Sequence, residues 1–384
     1  MLGNFTFHNP TKLHFGEDSL SKLSEELKNY GKKVMLCYGG GSIKRNGIYD
    51  QVMAELKKAG CEVIEIAGVM PNPTIEKVLE GAHTARQENV DFILGVGGGS
   101  TVDYCKAVAG SAWYDGDPWE YYFKNWQPMT CRWIPVGCVL TMAGTGSEMD
   151  SCSVISSHSE NRKLFYNFRN PDFAILNPRF TFTVPKYQMV AGIYDIMSHI
   201  LEQYLSGTDD NTSDYIAEGL MKSVIASSKI AVKNPKDYEA RSNIMWCATM
   251  ALNKILALSK TQDWEVHQIE HQLGAYTDCA HGVGLAIVSV PYYRHIYRYG
   301  LHRFVRFAKN IWHVQPQGKT DDQVAMEGIA CLSSFIAELG IPQTLREVGA
   351  TEEMLPLIAE SCNKCGGYHV PDTAEGLEIL RACF

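Results

Sequence analysis

Asp91-Phe-Ile-Leu-Gly-Val-Gly-Gly-Gly-Ser-Thr-Val-Asp103 reads as an apolar strand that ends in a glycine-rich turn and opens a helix near Ser100. Glycines let a backbone come close to a pyrophosphate, and a helix N-terminus offers it free N–H groups and the positive end of a dipole. Gly97, Gly98, Gly99 and Ser100 are therefore candidates for a phosphate cradle, with Asp103 a further cofactor-binding candidate on the helix they open and Lys106 behind it. A tight strand-to-helix connection without a ligand has the same sequence, so the flanking segments have to decide.

Outward from this stretch, β-rich runs alternate with helical periods. Leu20, Leu23 and Leu27 share a helical face, and Lys33-Val-Met-Leu-Cys-Tyr38 is strand-like. A helix over 48–56, a strand at 61–66, a helix from about 74 and a strand at 133–139 follow. Such alternation is the wiring of a parallel sheet flanked by helices. Two more glycine-rich turns follow strands: Gly39, Gly40, Gly41 and Ser42, and Thr141-Met-Ala-Gly-Thr-Gly-Ser-Glu148. Three such turns fall along one edge of a parallel sheet, where ligands of these sheets bind. The pattern is not the usual Rossmann fingerprint, because the 97–100 turn follows the third strand of the domain and no carboxylate ends the next one. The 39–42 turn carries no acid to repel a 2′-phosphate, while Ser42, Lys44 and Arg45 suit one, so NADP(H) is expected over NAD(H).

Beyond about residue 184 the strand signals fade. Helical periods run over 189–205, 213–232, 237–258, 264–276, 322–339 and 352–363. The expected organisation is an α/β nucleotide-binding domain over 1–182 and an all-helical, metal-binding domain over 183–384, joined near 177–185, with a ligand cleft between them. In the helical half, Asp195 and His199 stand i, i+4 on one face, as do His267 and His271, and His281 follows ten residues later. Three imidazoles and one carboxylate suit a divalent ion such as Fe(II) or Zn(II). Spacing alone leaves open which three histidines take part.

Composition narrows the classes. At 384 residues, 45% hydrophobic and 20% charged, the chain is long enough for two cores and has the balance of a folded protein. A formal charge of −8 offers no basic field for nucleic acid. No apolar run reaches a membrane span and no leader-type core is evident, so a cytoplasmic location is expected. The twelve cysteines are scattered, mostly through apolar stretches, and read as reduced thiols; Cys362 and Cys365 form one CxxC without a second to complete a zinc site. Trp113, Trp119, Tyr121, Tyr122, Phe123 and Trp126 fit either an apolar substrate entrance or a packed aromatic cluster.

The glycine-rich stretches 97–103 and 143–148, Asp195-x-x-x-His199, and His267-x-x-x-His271 with His281-Gly282 together resemble the iron-containing (group III) alcohol dehydrogenases, most of all their butanol dehydrogenase and broad-range aldehyde reductase branch. The resemblance spans nearly the whole chain. It implies a dehydroquinate synthase-like fold, hydride transfer between NADP(H) and a small primary alcohol or aldehyde, and one catalytic metal held by Asp195, His199, His267 and His281. His271 is left near the substrate, in the proton path. Cofactor contacts are implied for Gly39, Gly40, Gly41, Ser42, Gly97, Gly98, Gly99, Ser100, Thr141, Thr145 and Lys163, and a homodimer through an N-terminal strand within 4–15. Met142 and Asp150 depart from common family residues. Lyases or cyclases and glycerol-type polyol dehydrogenases of the same plan are the rival readings; Trp264 beside the His267 motif favours the alcohol dehydrogenases.

Overall fold

The computed structural model describes residues 2–207, 211–362 and 364–384. They divide into two compact units, His8–Val184 and Pro185–Phe384, the latter joined by the residues before His8.

In the first unit, six strands among the described residues form a wholly parallel sheet: β1 (Lys12–Phe15), β2 (Lys33–Tyr38), β3 (Glu62–Ile66), β4 (Phe92–Gly97), β5 (Val136–Leu140) and β8 (Phe173–Leu176), in the order β1-β8-β5-β4-β2-β3. β2, β4, β5 and β8 are apolar and almost wholly buried because helices cover the sheet faces. The chain steps outward from β2 to β3 and then crosses back to lay β4 on the other side of β2. That reversal opens a crevice at the carboxyl ends of β2 and β4, the usual ligand position in such sheets. At mid-sheet Phe92 and Phe173 stack 5.4 Å apart over Gly137. A side chain there would meet both rings at 2.8 Å or less.

β6 (Cys152–Ser157) and β7 (Arg162–Asn167) form a separate antiparallel hairpin that period reading alone does not single out. β5 begins at Val136, later than expected, since Pro135 has no N–H to give a ladder. The aromatic residues of 113–126 resolve as packing. Tyr122 lies 5.0 Å from Tyr166 and 5.2 Å from Phe168, and Trp119 stacks on Phe123 at 5.5 Å. Within 4–15, only Lys12–Phe15 is a strand, and it pairs with β8 of its own chain.

The second unit is helical among its described residues: Lys186–Tyr204, Thr212–Ala231, Tyr238–Leu252, Glu265–Thr277, His281–Ile296, Leu301–Trp312, Asp321–Leu339, Met354–Ser361 and Thr373–Ala382. The helix expected over 237–258 stops at Leu252, where Asn253 Oδ1 accepts from Ile255 N (3.1 Å) and Lys254 takes φ +76°. The helix expected over 352–363 covers Met354–Ser361; residue 363 lies outside the described residues. Gly282 lets the His281–Ile296 helix press against the Ala191 carbonyl of the Lys186–Tyr204 helix, closer than any side chain permits. No helix of the described residues is long and apolar enough to cross a membrane.

Candidate active site

In the first unit, β5, β4 and β2 are neighbours, so the turns that follow them lie side by side at one sheet edge. Thr141 N donates to Gly97 O at 2.8 Å, which ties two of the turns together. Gly97 and Gly99 owe their identity first to the protein itself: a Cβ would overlap the Thr101 side chain at Gly97 and the Thr145 side chain at Gly99. Gly98 caps the Gly99–Ser111 helix without a side-chain acceptor, leaving first-turn N–H groups for a ligand. Met142 lies over this turn, 3.3 Å from where a Gly98 Cβ would stand. Gly40 faces open space, and Gly41 adopts φ +90° ahead of Ser42. These features fit a dinucleotide phosphate. Lys163 is buried on β7 opposite Ser156.

Three features here escape a reading by spacing. Asp103 has its carboxylate committed within the protein: Ser147 Oγ donates to Oδ1 and Val154 N to Oδ2 at 3.0 Å. It thus ties its helix to the 147 turn and to β6. Lys106 is wholly buried, with Nζ 2.8 Å from Asp150 Oδ1 and 3.4 Å from Asp103 Oδ1. Burial pulls its ammonium down, but Asp150 and Asp103 outweigh it and hold it above its ordinary value. Asp150, a departure from the family pattern, is the partner of this buried cation. Finally, β3 supplies a carboxylate near the first turn. Glu65 accepts from Tyr38 Oη and Tyr49 Oη at 2.6 Å each and pairs with Lys44 at 3.4 Å.

In the second unit three elements converge. Asp195 and His199 lie on Lys186–Tyr204, His267 and His271 on Glu265–Thr277, and His281 opens the next helix. Asp195 Oδ1 is 3.4 Å from His199 Nε2, 3.7 Å from His281 Nε2 and 3.9 Å from His267 Nε2. One atom each from Asp195, His267 and His281 lies within 4.8 Å of the others, and His199 and His267 stack at 4.8 Å. His271 stands beside them, its ring centre 5.6 Å from that of His281. Asp195, His199, His267 and His271 are buried, whereas the His281 side chain is 23% exposed and forms the open side. Trp264 sets its ring edge-on to His267 at 5.3 Å.

The outer nitrogens of two histidines are held by carboxylates. Glu202 Oε1 meets His267 Nδ1 at 2.5 Å and Glu270 Oε2 meets His281 Nδ1. Gly284 makes room for the Glu270 side chain, whose Cγ would lie 2.8 Å from a Cβ there. Such acceptors fix the proton on Nδ1 and turn the Nε2 lone pair inward. Burial, then the neighbouring imidazoles, push His199 well below its ordinary value, which favours the neutral ligand form. The buried His199 Nδ1 and His267 Nε2 have no hydrogen-bond partner among the described residues. One carboxylate with converging imidazole nitrogens fits a borderline divalent cation. Glu202 and Glu270 were visible in the sequence as the residues three after His199 and His267, on the same helix faces.

The iron-containing alcohol dehydrogenase family matches residues 10–178, and the C-terminal part of that family matches 189–381. The chain is 42% identical over 390 residues to NADH-dependent butanol dehydrogenase A of Clostridium acetobutylicum, covering 99% of this chain and 100% of that one. It is 33% identical over 370 residues to an NADPH-dependent aldehyde reductase of Escherichia coli K12, covering 95% and 94%. The structure of an NADH-dependent butanol dehydrogenase A from Thermotoga maritima superposes with a TM-score of 0.95 at 38% identity, covering 100% and 99%. This chain belongs to the iron-containing alcohol dehydrogenase family, in the branch of the butanol dehydrogenases and aldehyde reductases. It is an NAD(P)-dependent alcohol dehydrogenase with the dehydroquinate synthase-like fold of that family, which implies a divalent metal and a nicotinamide cofactor.

Proposed function

We propose that the protein reduces short aliphatic aldehydes such as butanal, and oxidises the corresponding primary alcohols, using NADP(H) and one divalent ion, Fe(II) or Zn(II), held by Asp195, His199, His267 and His281. The observation that carries this reading is the convergence of three Nε2 atoms within 3.4–3.9 Å of one Asp195 oxygen. When bound, the cation supplies Lewis acidity toward a carbonyl oxygen and the dinucleotide supplies the hydride. Glu202 and Glu270 keep His267 and His281 in the tautomer that faces inward. His271, beside His281, gives a proton to the developing alkoxide and takes it back in the reverse direction. Gly40 and Gly98, with the N-terminus of the Gly99–Ser111 helix, receive the phosphates; Ser100, Thr141, Thr145 and Lys163 complete their surroundings, and Asp103 positions the helix.

For the cofactor, the absence of a carboxylate in the 39–42 turn supports NADP(H). A second reading, NAD(H), is favoured by the Lys44–Glu65 ion pair, which engages the cation a 2′-phosphate would need, and by the NADH-dependent butanol dehydrogenase relatives. We also propose a cytoplasmic homodimer. Twelve free thiols, Cys365 exposed among them, support a reducing compartment. The exposed Phe5 and Phe7 before the edge strand β1 support self-association.

The test joins metal analysis to kinetics at 340 nm with butanal and either NADPH or NADH. Wild-type protein binds one catalytic equivalent of metal, and His267→Ala loses metal and turnover together. Full turnover and metal content in His267→Ala overturns the ligand set, and a higher kcat/KM for NADH than for NADPH selects the second cofactor reading.

A further inference from the structure

A second cluster of ligand-type side chains lies at the far end of the helix that His281 opens. His295 is in the last turn of His281–Ile296, fourteen residues on, which at 1.5 Å per residue is about 21 Å from His281. His295 Nε2 stands 3.3 Å from Glu375 Oε1, and His369 Nε2 stands 2.8 Å from the same oxygen. One atom from each of the three residues lies within 4.8 Å of the others.

Two of the three side chains, His369 and Glu375, are oriented by something outside the cluster. The His369 ring stacks on Tyr299 at 4.3 Å with an interplanar angle of 5°. The backbone of the final helical turn carries His295. Glu375 is the third residue of the Thr373–Ala382 helix, and its Oε2 accepts from Asp372 N at 2.8 Å in a capping box. That bond occupies one carboxylate oxygen and aims the other at the two imidazoles. All three side chains are about a quarter exposed, so an ion and its waters can reach them.

We propose that His295, His369 and Glu375 form a second divalent-cation site, remote from the catalytic cluster, that takes Zn(II) or a similar borderline ion with water in its remaining positions. Two neutral imidazoles and one carboxylate leave the bound ion a formal charge of +1, a donor set suited to zinc and its neighbours. Bound there, the ion clamps the C-terminal helix and the segment before it to the His281–Ile296 helix.

Zn(II) binding to the full-length protein, measured by competition with a chromophoric chelator, tests this. Wild type takes up one equivalent more than the His295→Ala/His369→Ala double variant, and the extra equivalent persists in His267→Ala, whose catalytic site is disabled. Glu375→Gln keeps the capping box, since glutamine serves there as glutamate does, yet binds the extra equivalent at least about tenfold more weakly. It decides the matter should the double variant fold poorly. Zn(II) raises the Tm of wild type more than that of Glu375→Gln. Equal stoichiometry and affinity in wild type and Glu375→Gln overturns the proposal and leaves the three residues as a hydrogen-bonded brace.

Discussion

Glu202 Oε1 meets Nδ1 of His267 at 2.5 Å while Glu202 Oε2 accepts from the backbone N–H of the same histidine at 3.2 Å. One buried carboxylate thus holds both the ring and the main chain of a candidate ligand, and Ser198 Oγ donates to it at 2.8 Å. Glu202→Gln keeps the volume but sets an amide opposite Nδ1 and weakens the preference for an inward Nε2 lone pair. Loss of an outer-shell carboxylate of this kind costs about 10–100-fold in metal affinity. Chelator competition on the variant measures it, and turnover returns in large part at saturating metal. Unchanged metal affinity would mean that Asp195 and the helices alone fix the ring.

The glycines of the two turns separate protein packing from ligand approach. Gly99→Ala drives a methyl into the Thr145 side chain, so stability falls by about 1–3 kcal/mol along with dinucleotide affinity. Gly40→Ala meets nothing within 4 Å in the free protein, so its Tm stays at the wild-type value while NADPH affinity falls about tenfold. Urea melts and fluorescence titration of the same pair give both readouts. Gly40→Ala binding NADPH as wild type does would remove that turn from the cofactor site.

The buried pair of Lys106 and Asp150 predicts an asymmetric stability series. Asp150→Asn leaves a wholly buried ammonium with Asp103 at 3.4 Å as its carboxylate partner, and losing one member of a buried pair costs about 3–5 kcal/mol. Replacing both, as Lys106→Met with Asp150→Leu, recovers most of the loss, because an apolar pair of similar volume avoids the desolvation cost. The Lys106 value is raised over its ordinary 10.5. Burial pushes Asp150 up to about 6, so the pair's contribution is present between about 6 and about 10.5 and is lost as pH rises through the folded-state value of Lys106. Urea unfolding at pH 7 and in strongly alkaline buffer measures both effects.

How far sequence carries such a reading depends on whether a residue repeats with a period or meets its partner only in space. β4 with its glycines, and the i, i+4 pairs Asp195/His199 and His267/His271, announce themselves locally. Gly282-Val-Gly-Leu-Ala-Ile-Val-Ser-Val-Pro291 does not: it is helical and buried on nearly every side, so no amphipathic period marks it, and its β-branched residues favour strand. Glu65 reaches the first turn from β3, Leu36 and Glu65 being register partners, and Asp150 reaches Lys106 across 44 residues. Spacing along the chain cannot report either contact. The carboxylate of Asp103 likewise meets Ser147 and Val154 only in space, 44 and 51 residues further along the chain.

His271 differs from its neighbours in what its removal should do. Asp195 Oδ1 has His199, His267 and His281 within 3.9 Å, and the ligand set proposed from them does not call on His271. Its ring centre lies 5.6 Å from His281 and 6.2 Å from His267, near enough to reach a substrate oxygen held beside them. His271→Ala therefore keeps its metal while kcat falls, by up to the 10²–10⁴-fold typical of a lost general acid. The loss shrinks toward high pH, where the wild-type imidazole is itself deprotonated and can no longer donate, and added imidazole restores part of the rate. Metal analysis beside a kcat–pH profile, with and without imidazole, reads all three outcomes. Loss of metal in His271→Ala would instead make it a ligand, and wild-type turnover across the pH range would take it out of the proton path.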